Sequence, residues 1–311
     1  MPGMRIDPAI DRRTAEFAER HYGFFTLSEA YRLGHTPDSL RTRRRTGVYE
    51  KEAPSVLRFV GHPRTWQGDA YARVKAGPPG TVASSRTVCA LFGAISPPAL
   101  PDITVPPRSN ARVAGAIVHQ REVPAQDRTI FGVLPITTPA RAVVDAAGLV
   151  DLPTLQQIVD VLRTTGQIAN GVLESTMERL RPDRRTPAFD RLDHALRIWR
   201  PGVEHDSVAE ARMFRLIDEW NFPLPRSLYA IRDPNGDPVC EADAAWPDRR
   251  VALDYDSPEY HGPSRDEVDE RRHAAAKALG WVFVSVDMLD LRPGGQGAFR
   301  EKLTRLLAPA A

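Results

Sequence analysis

VCEADAAWPDRRVALDYD, residues Val239 to Asp256, decides how the last third of this 311-residue chain is read. Val239 to Ala245 and Arg250 to Asp256 are strand-like, and Trp246-Pro247-Asp248-Arg249 turns the chain between them. A strand at Ser227 to Arg232 precedes them. It is joined through Asp233-Pro234-Asn235-Gly236-Asp237, whose proline, asparagine and glycine favour a tight turn. Upstream, Asp206 and Ser207 open a helix reaching Trp220. Downstream, a loop from Ser257 to Pro263 leads into a helix from Ser264 to Leu279, stopped by Gly280. Trp281 to Val286 is an apolar strand, and Gly297 to Leu307 a final helix. The expected order is α-β-β-β-α-β.

The acids in this frame point to chemistry. Asp243 interrupts a small apolar stretch, and Asp254 and Asp256 lie two apart on the next strand, so they share one face. The tight hairpin brings Asp243 beside that pair. Any one of these acids alone reads as a solvated strand residue. Three converging carboxylates repel one another and are costly to desolvate, and a cation offsets that cost. Oxygen-only ligands suit Mg²⁺ or Mn²⁺, which polarises a phosphate and activates water. Glu210 is a further candidate ligand, although Ser207-x-x-Glu210 is also a capping box. His261 is either a residue that orients water or a loop anchor. Arg272 and Lys277 read either as phosphate contacts or as surface charge.

The front of the chain is a different unit. Residues 10–61 hold three short helices, Asp11 to Arg20, Leu27 to Leu33 and Pro37 to Thr46, then strands at Val48-Tyr49 and Val56 to Val60. Thr36 caps the third helix, with Pro37 at its first position. This is winged helix-turn-helix order. The third helix carries Arg41, Arg43, Arg44 and Arg45, cations that would hold phosphates and reach base edges in a major groove. The competing reading is a solvated helix end whose arginines suit the negative pole of the dipole.

Residues 64–180 form an α+β middle region without a catalytic constellation. Helices are expected at Trp66 to Lys75, Ser85 to Phe92, Thr138 to Ala147, Pro153 to Arg163 and Ile168 to Leu180, and strands at Ile103 to Val105 and Ala116 to His119. His119 reads as structural, and Pro135, Thr137 and Thr138 as turn and cap residues. Residues 181–201 read as a linker with a short helix, leaving 202–311 as the acidic unit.

Charge follows this division. The net +2 divides into +3 over residues 1–60, +5 over 61–200 and −6 over 201–311, so a basic front could meet nucleic acid while an acidic back holds a metal. The charged fraction of 26% and the lack of an apolar run of roughly 18–20 residues argue for a soluble protein rather than a membrane span. With no signal-peptide core at the start, a cytoplasmic location is expected. Cys89 and Cys240 are far apart and outside zinc-ligand spacing, so neither zinc nor a disulfide framework is expected.

Two resemblances sharpen these readings. Asp243 in EADAAW, Asp254, Asp256 and His261 in LDYDSPEYHG, and Asp269 and Arg272 in DERRHAAAKALGW resemble the very-short-patch-repair-like branch of the PD-(D/E)XK nuclease superfamily. That family typically has Glu-x-Asp-Gly on the third strand, where this chain has Asp254 and Ser257. Many superfamily members also carry a lysine where Asp256 stands. RHYGFFTLSEAYRLGHTPDSLRTRRRTGVYE is similar to the N-terminal domain of AbiEi-type antitoxins, and GVLPITTPARAVVD to the segment that follows it. Together the resemblances imply a winged-helix DNA-binding domain ahead of a restriction-endonuclease-like domain. The expected activity is Mg²⁺- or Mn²⁺-dependent endonuclease cleavage of double-stranded DNA. The alternative is a non-catalytic antitoxin-like autorepressor with a degenerate nuclease fold and a cognate toxin as partner. RNA as the nuclease substrate is separated from DNA only by the winged-helix resemblance.

Overall fold

The protein is described by a computed structural model covering residues 8–181, 186–199, 203, 205–256 and 272–308. It is a mixed α+β protein with three sheets among the described residues. The chain forms two compact units, Met1–Leu192 and Asp193–Ala311. The division falls inside the stretch read from sequence as a linker, and residues 10–61 and the middle region share the first unit.

The first unit begins with α1 (Pro8–Glu19), β1 (Phe24–Thr26), α2 (Leu27–Arg32), α3 (Pro37–Arg45), β2 (Tyr49–Ala53) and β3 (Val56–Phe59). Local chemistry sets these limits. Thr26 and Glu29 form a reciprocal capping box at α2. Thr36 accepts from the Ser39 amide, with Pro37 at the first helical position of α3. Gly47, at φ +76°, then takes the left-handed conformation that ends that helix. The strands pair in the order β1-β3-β2. Phe25, Leu40, Tyr49 and Leu57 fill the core beneath them.

The same unit continues with α4 (Trp66–Ala76), β4 (Val82–Ala83), α5 (Ser85–Leu91), β5 (Asp102–Val105), β6 (Ile117–Gln120), β7 (Arg128–Phe131) and β8 (Leu134–Thr137). Helices α6 (Pro139–Ala146), α7 (Leu152–Thr164), α8 (Val172–Leu180) and α9 (Pro187–Ala195) follow. The five strands order as β6-β5-β4-β8-β7. Here the sequence reading fell short. Pro135 and Thr137, expected as turn and cap residues, lie within β8, with Pro135 facing Ile130 of the edge strand β7. Thr138 does cap α6, accepting from the Arg141 amide.

The second unit holds α10 (Val208–Glu219), β9 (Arg226–Arg232), β10 (Pro238–Trp246), β11 (Val251–Tyr255), α11 (described over 272–278), β12 (Val282–Val286), α12 (Met288–Leu291) and α13 (Gln296–Leu307). The sheet order is β12-β11-β10-β9. β9, β10 and β11 are antiparallel, whereas β11 and β12 run parallel. A parallel pair needs a crossover, and α11 lies on it. Ala276 of α11 packs with Ile231, Ala242 and Ala252, and Leu279, Trp281 and Phe283 border that cluster. The short α12, absent from the sequence reading, starts on a capping box between Asp287 and Asp290.

Candidate functional site

β10 and β11 place the acids. Ala244 pairs with Leu253, which sets Asp243 and Asp254 level with each other one residue further along the hairpin. At that level the Asp243 side chain takes over from the ladder: its Oδ2 accepts from the Tyr255 amide at 2.6 Å. On the other side of β10, Ala242 pairs with Tyr229 and Ala244 with Ser227, and the intervening Leu228 adopts φ +45°. A side chain at positive φ strains the backbone by about 1–2 kcal/mol, so the irregularity around Asp243 is costly.

Glu210 in the first turn of α10 and Asp206 just before its N-cap bring two further negative charges to bear on Asp243. Glu210 is buried, and its amide donates to the N-cap Ser207 Oγ at 3.1 Å, but the reciprocal bond of the capping box read from the sequence is displaced by one residue, from Ser207 to Asp206. Its Oε1 accepts from Ser207 Oγ at 2.9 Å and its Oε2 from the Asp206 amide at 2.9 Å. Burial pushes the Glu210 carboxyl above its ordinary range; those two bonds oppose the rise, and the charge of Asp206 adds to it. Burial likewise pushes Asp243 up to about 7; the Tyr255 amide works against this, and the charges of Glu210, Asp254 and Asp206 reinforce it.

Asp254 has a partner that sequence reasoning missed. His273 Nε2 lies 2.5 Å from Asp254 Oδ2. The imidazole stacks on Phe283, with ring centroids 4.4 Å apart. Its sequence signal was available: His273, Ala276 and Leu279 recur at helical spacing, so a polar residue stands on the stripe that faces the sheet.

The remaining expected residues are distributed as follows. Asp256, just beyond β11, is exposed and accepts from Ser285 Oγ at 3.4 Å. Ser285 is the register partner of Asp254, so Asp256 is held toward β12 on that side of the strand. His261 and Asp269 lie outside the described residues. Arg272 and Lys277 are exposed on α11. Burial raises the Cys240 thiol to about 11, with Asp254 adding to the rise and Arg272 opposing it. Among the described residues no group of three or more His, Cys, Asp or Glu is disposed to hold a metal ion. Of the expected ligands, Asp243 and Asp254 lie level across the hairpin, and Glu210 is occupied at the start of α10.

The arginines of α3 divide. Arg41, Arg44 and Arg45 are exposed, and Arg41 pairs with Asp38 at 2.7 Å. Arg43 corrects the sequence reading. It is 2% exposed and bonds to Asp11 of α1, so it ties α3 to α1 and cannot reach a phosphate. The same interior network holds His35, whose Nε2 meets Thr14 Oγ1 at 2.9 Å and Tyr49 Oη at 3.3 Å. In the middle region Asp102, fully buried, is bound by Arg86 at 2.8 Å and by His119 at 2.9 Å.

No helix among the described residues is long and apolar enough to cross a membrane. Among the described residues the chain is a mixed α+β protein whose C-terminal sheet carries Asp243 and Asp254 level across one hairpin. The chain belongs to the family of two Mycobacterium tuberculosis proteins, Uncharacterized protein MT2308 of strain CDC 1551 and Uncharacterized protein Rv2248 of strain H37Rv. It is 30% identical to each over 248 residues, 79% of this chain and 85% of theirs. No protein-family model matches the chain. It is also similar to the crystal structure of RV2827C protein from Mycobacterium tuberculosis, at 16% identity and a TM-score of 0.42. That similarity covers 74% of this chain and 90% of that one.

Proposed function

We propose that this chain is a DNA-binding protein whose C-terminal unit is a metal-dependent endonuclease domain. The observation that carries the reading is the level placement of Asp243 and Asp254 across the β10-β11 hairpin; burial raises Asp243 to about 7, and the charges of Glu210, Asp254 and Asp206 add to that rise. Carboxylates held this close at a cost in desolvation fit a hard divalent cation, which would neutralise them. Asp243 and Asp254 would hold it. Bound there, Mg²⁺ or Mn²⁺ supplies Lewis-acid polarisation of a scissile phosphate and activation of water. The Tyr255 amide orients Asp243, and Glu210 steadies the start of α10 while adding negative charge behind the pair. Asp256, exposed and held toward Ser285 of β12, would orient water rather than complete the ligand set.

The DNA-binding half rests on the three helices and three-stranded sheet of residues 8–59, read as a winged helix-turn-helix, with α3 as recognition helix. Arg41, Arg44 and Arg45 are its exposed cations and would contact phosphate or base edges of double-stranded DNA. The full chain is to be incubated with supercoiled plasmid and Mg²⁺ or Mn²⁺. The expected result is cleavage by the wild-type chain and none by Asp243→Ala or Asp254→Ala. Cleavage that survives either substitution refutes the assigned site.

A second reading is a non-catalytic, antitoxin-like repressor with a toxin as partner. Asp254 favours it, because this side chain is one methylene shorter than the glutamate of the resembled family, as does the sequence VALDY of β11, which has no lysine. It predicts duplex binding without cleavage at any divalent-ion concentration.

A further inference from the structure

The stretch DERRHAAAKALGW contributes more than surface charge to this centre. In α11, His273 and Ala276 lie three residues apart, and Ala276 is buried against Ala242 and Ala252. His273 therefore stands at the sheet-facing side of the helix, where its ring lies against Phe283 with an interplanar angle of 27°. Ala252 and Asp254 alternate to one face of β11, and Phe283, the register partner of Ala252, shares that face. Stacking thus fixes the plane of the imidazole and aims Nε2 at Asp254 Oδ2, 2.5 Å away. An ionised carboxylate only accepts hydrogen bonds, so Nε2 is the donor whether the ring is neutral or protonated.

We propose that His273 is a positioning residue for Asp254, an inference that rests on the nuclease reading above. Its hydrogen bond fixes the rotation of the Asp254 carboxylate and so presets one ligand of the metal pair. Removing the outer partner of a metal-binding side chain typically weakens metal binding by about 10–100-fold. The aspartate at 254 makes this support more consequential, since the shorter side chain reaches less far and tolerates less misalignment.

The test is a Mn²⁺ titration of the full-length chain by electron paramagnetic resonance, on wild type, His273→Phe and His273→Gln. Phenylalanine keeps the stack on Phe283 and removes the donor. Glutamine restores an N–H at similar reach. Thermal unfolding in EDTA is recorded alongside, so that a loss of fold is distinguished from a loss of affinity. The expected result is roughly 10–100-fold weaker Mn²⁺ binding in His273→Phe at an unchanged unfolding temperature, with His273→Gln recovering most of it. Wild-type affinity in His273→Phe, or no recovery in His273→Gln, overturns the inference and leaves the nuclease reading standing. No Mn²⁺ binding by the wild-type chain overturns both.

Discussion

Replacing Asp243 with asparagine should stabilise the C-terminal unit, and more so as the pH rises. The carboxyl is pushed from its ordinary value of 3.8 to about 7 by burial, with Glu210, Asp254 and Asp206 adding to it. A group whose folded pKa is raised binds more protons in the folded state. Its stabilising contribution is therefore complete below 3.8 and is lost as the pH rises through about 7. At roughly 1.4 kcal/mol per pH unit, ionising Asp243 in the folded protein costs about 4 kcal/mol at pH 8. Asparagine is isosteric, carries no charge and keeps an oxygen for the Tyr255 amide. Weakening that bond from a charged to a neutral acceptor returns about 1 kcal/mol of the gain. Asp243→Asn is therefore expected to be more stable than wild type by about 2–4 kcal/mol at pH 8, falling to about 1 kcal/mol or less near pH 4.5. The assay is urea unfolding in EDTA followed by tryptophan fluorescence. Trp199, Trp220, Trp246 and Trp281 lie in the second unit and only Trp66 in the first, so the signal reports chiefly on the unit in question. Equal or lower stability of Asp243→Asn at pH 8, or a difference that does not change between pH 4.5 and 8, would refute the electrostatic account.

Two other perturbations probe the first unit. Arg43→Ala removes the buried partner of Asp11 and should cost about 3–5 kcal/mol of folding stability in a thermal or denaturant melt. Arg44→Ala/Arg45→Ala, on exposed positions, should leave the melt within about 0.5 kcal/mol and reduce the salt slope of duplex-DNA binding by about one per residue in a fluorescence-anisotropy titration. An unchanged slope would remove α3 from the DNA interface. His35 supplies the pH dependence of this unit. Burial holds its imidazole below the ordinary 6.5; Arg43 and Arg13 reinforce the shift, and Asp11 opposes it. Its folded pKa is depressed, so stability is full above 6.5 and is lost as the pH falls below that value. Hydrogen exchange over residues 24–59, corrected for the intrinsic rate, should accelerate between pH 7 and 5, and His35→Gln should flatten that change.

The elements that sequence chemistry specified locally were the legible ones. Thr36-Pro37 starts α3, Asp233 to Asp237 makes the turn between β9 and β10, and Trp246 to Arg249 makes the one before β11. The level placement of Asp243 and Asp254 followed from the length of that hairpin. What the sequence left hidden depended on burial and on partners distant along the chain. Arg43 looks like its three exposed neighbours until its contact with Asp11, 32 residues away, is known. The bond of His273 to Asp254 spans 19 residues and crosses from helix to strand, so counting charges along α11 passes over it. Pro135 concealed β8 because proline argues against a strand unless its missing N–H costs no ladder bond. Glu210 remained ambiguous from sequence because a glutamate three residues after a serine fits both a helix start and a ligand; it is bound by Ser207 and the Asp206 amide at the start of α10, where its charge adds to the rise of Asp243.

The most direct measurement is the anomalous diffraction of the full-length protein crystallised with Mn²⁺ at pH 8, where Asp243 is ionised. The account predicts an anomalous peak coordinated by carboxylate oxygens of both Asp243 and Asp254, absent from crystals of Asp243→Asn. A wild-type structure in which Mn²⁺ is absent from these two carboxylates, or sits elsewhere in the chain, would contradict it.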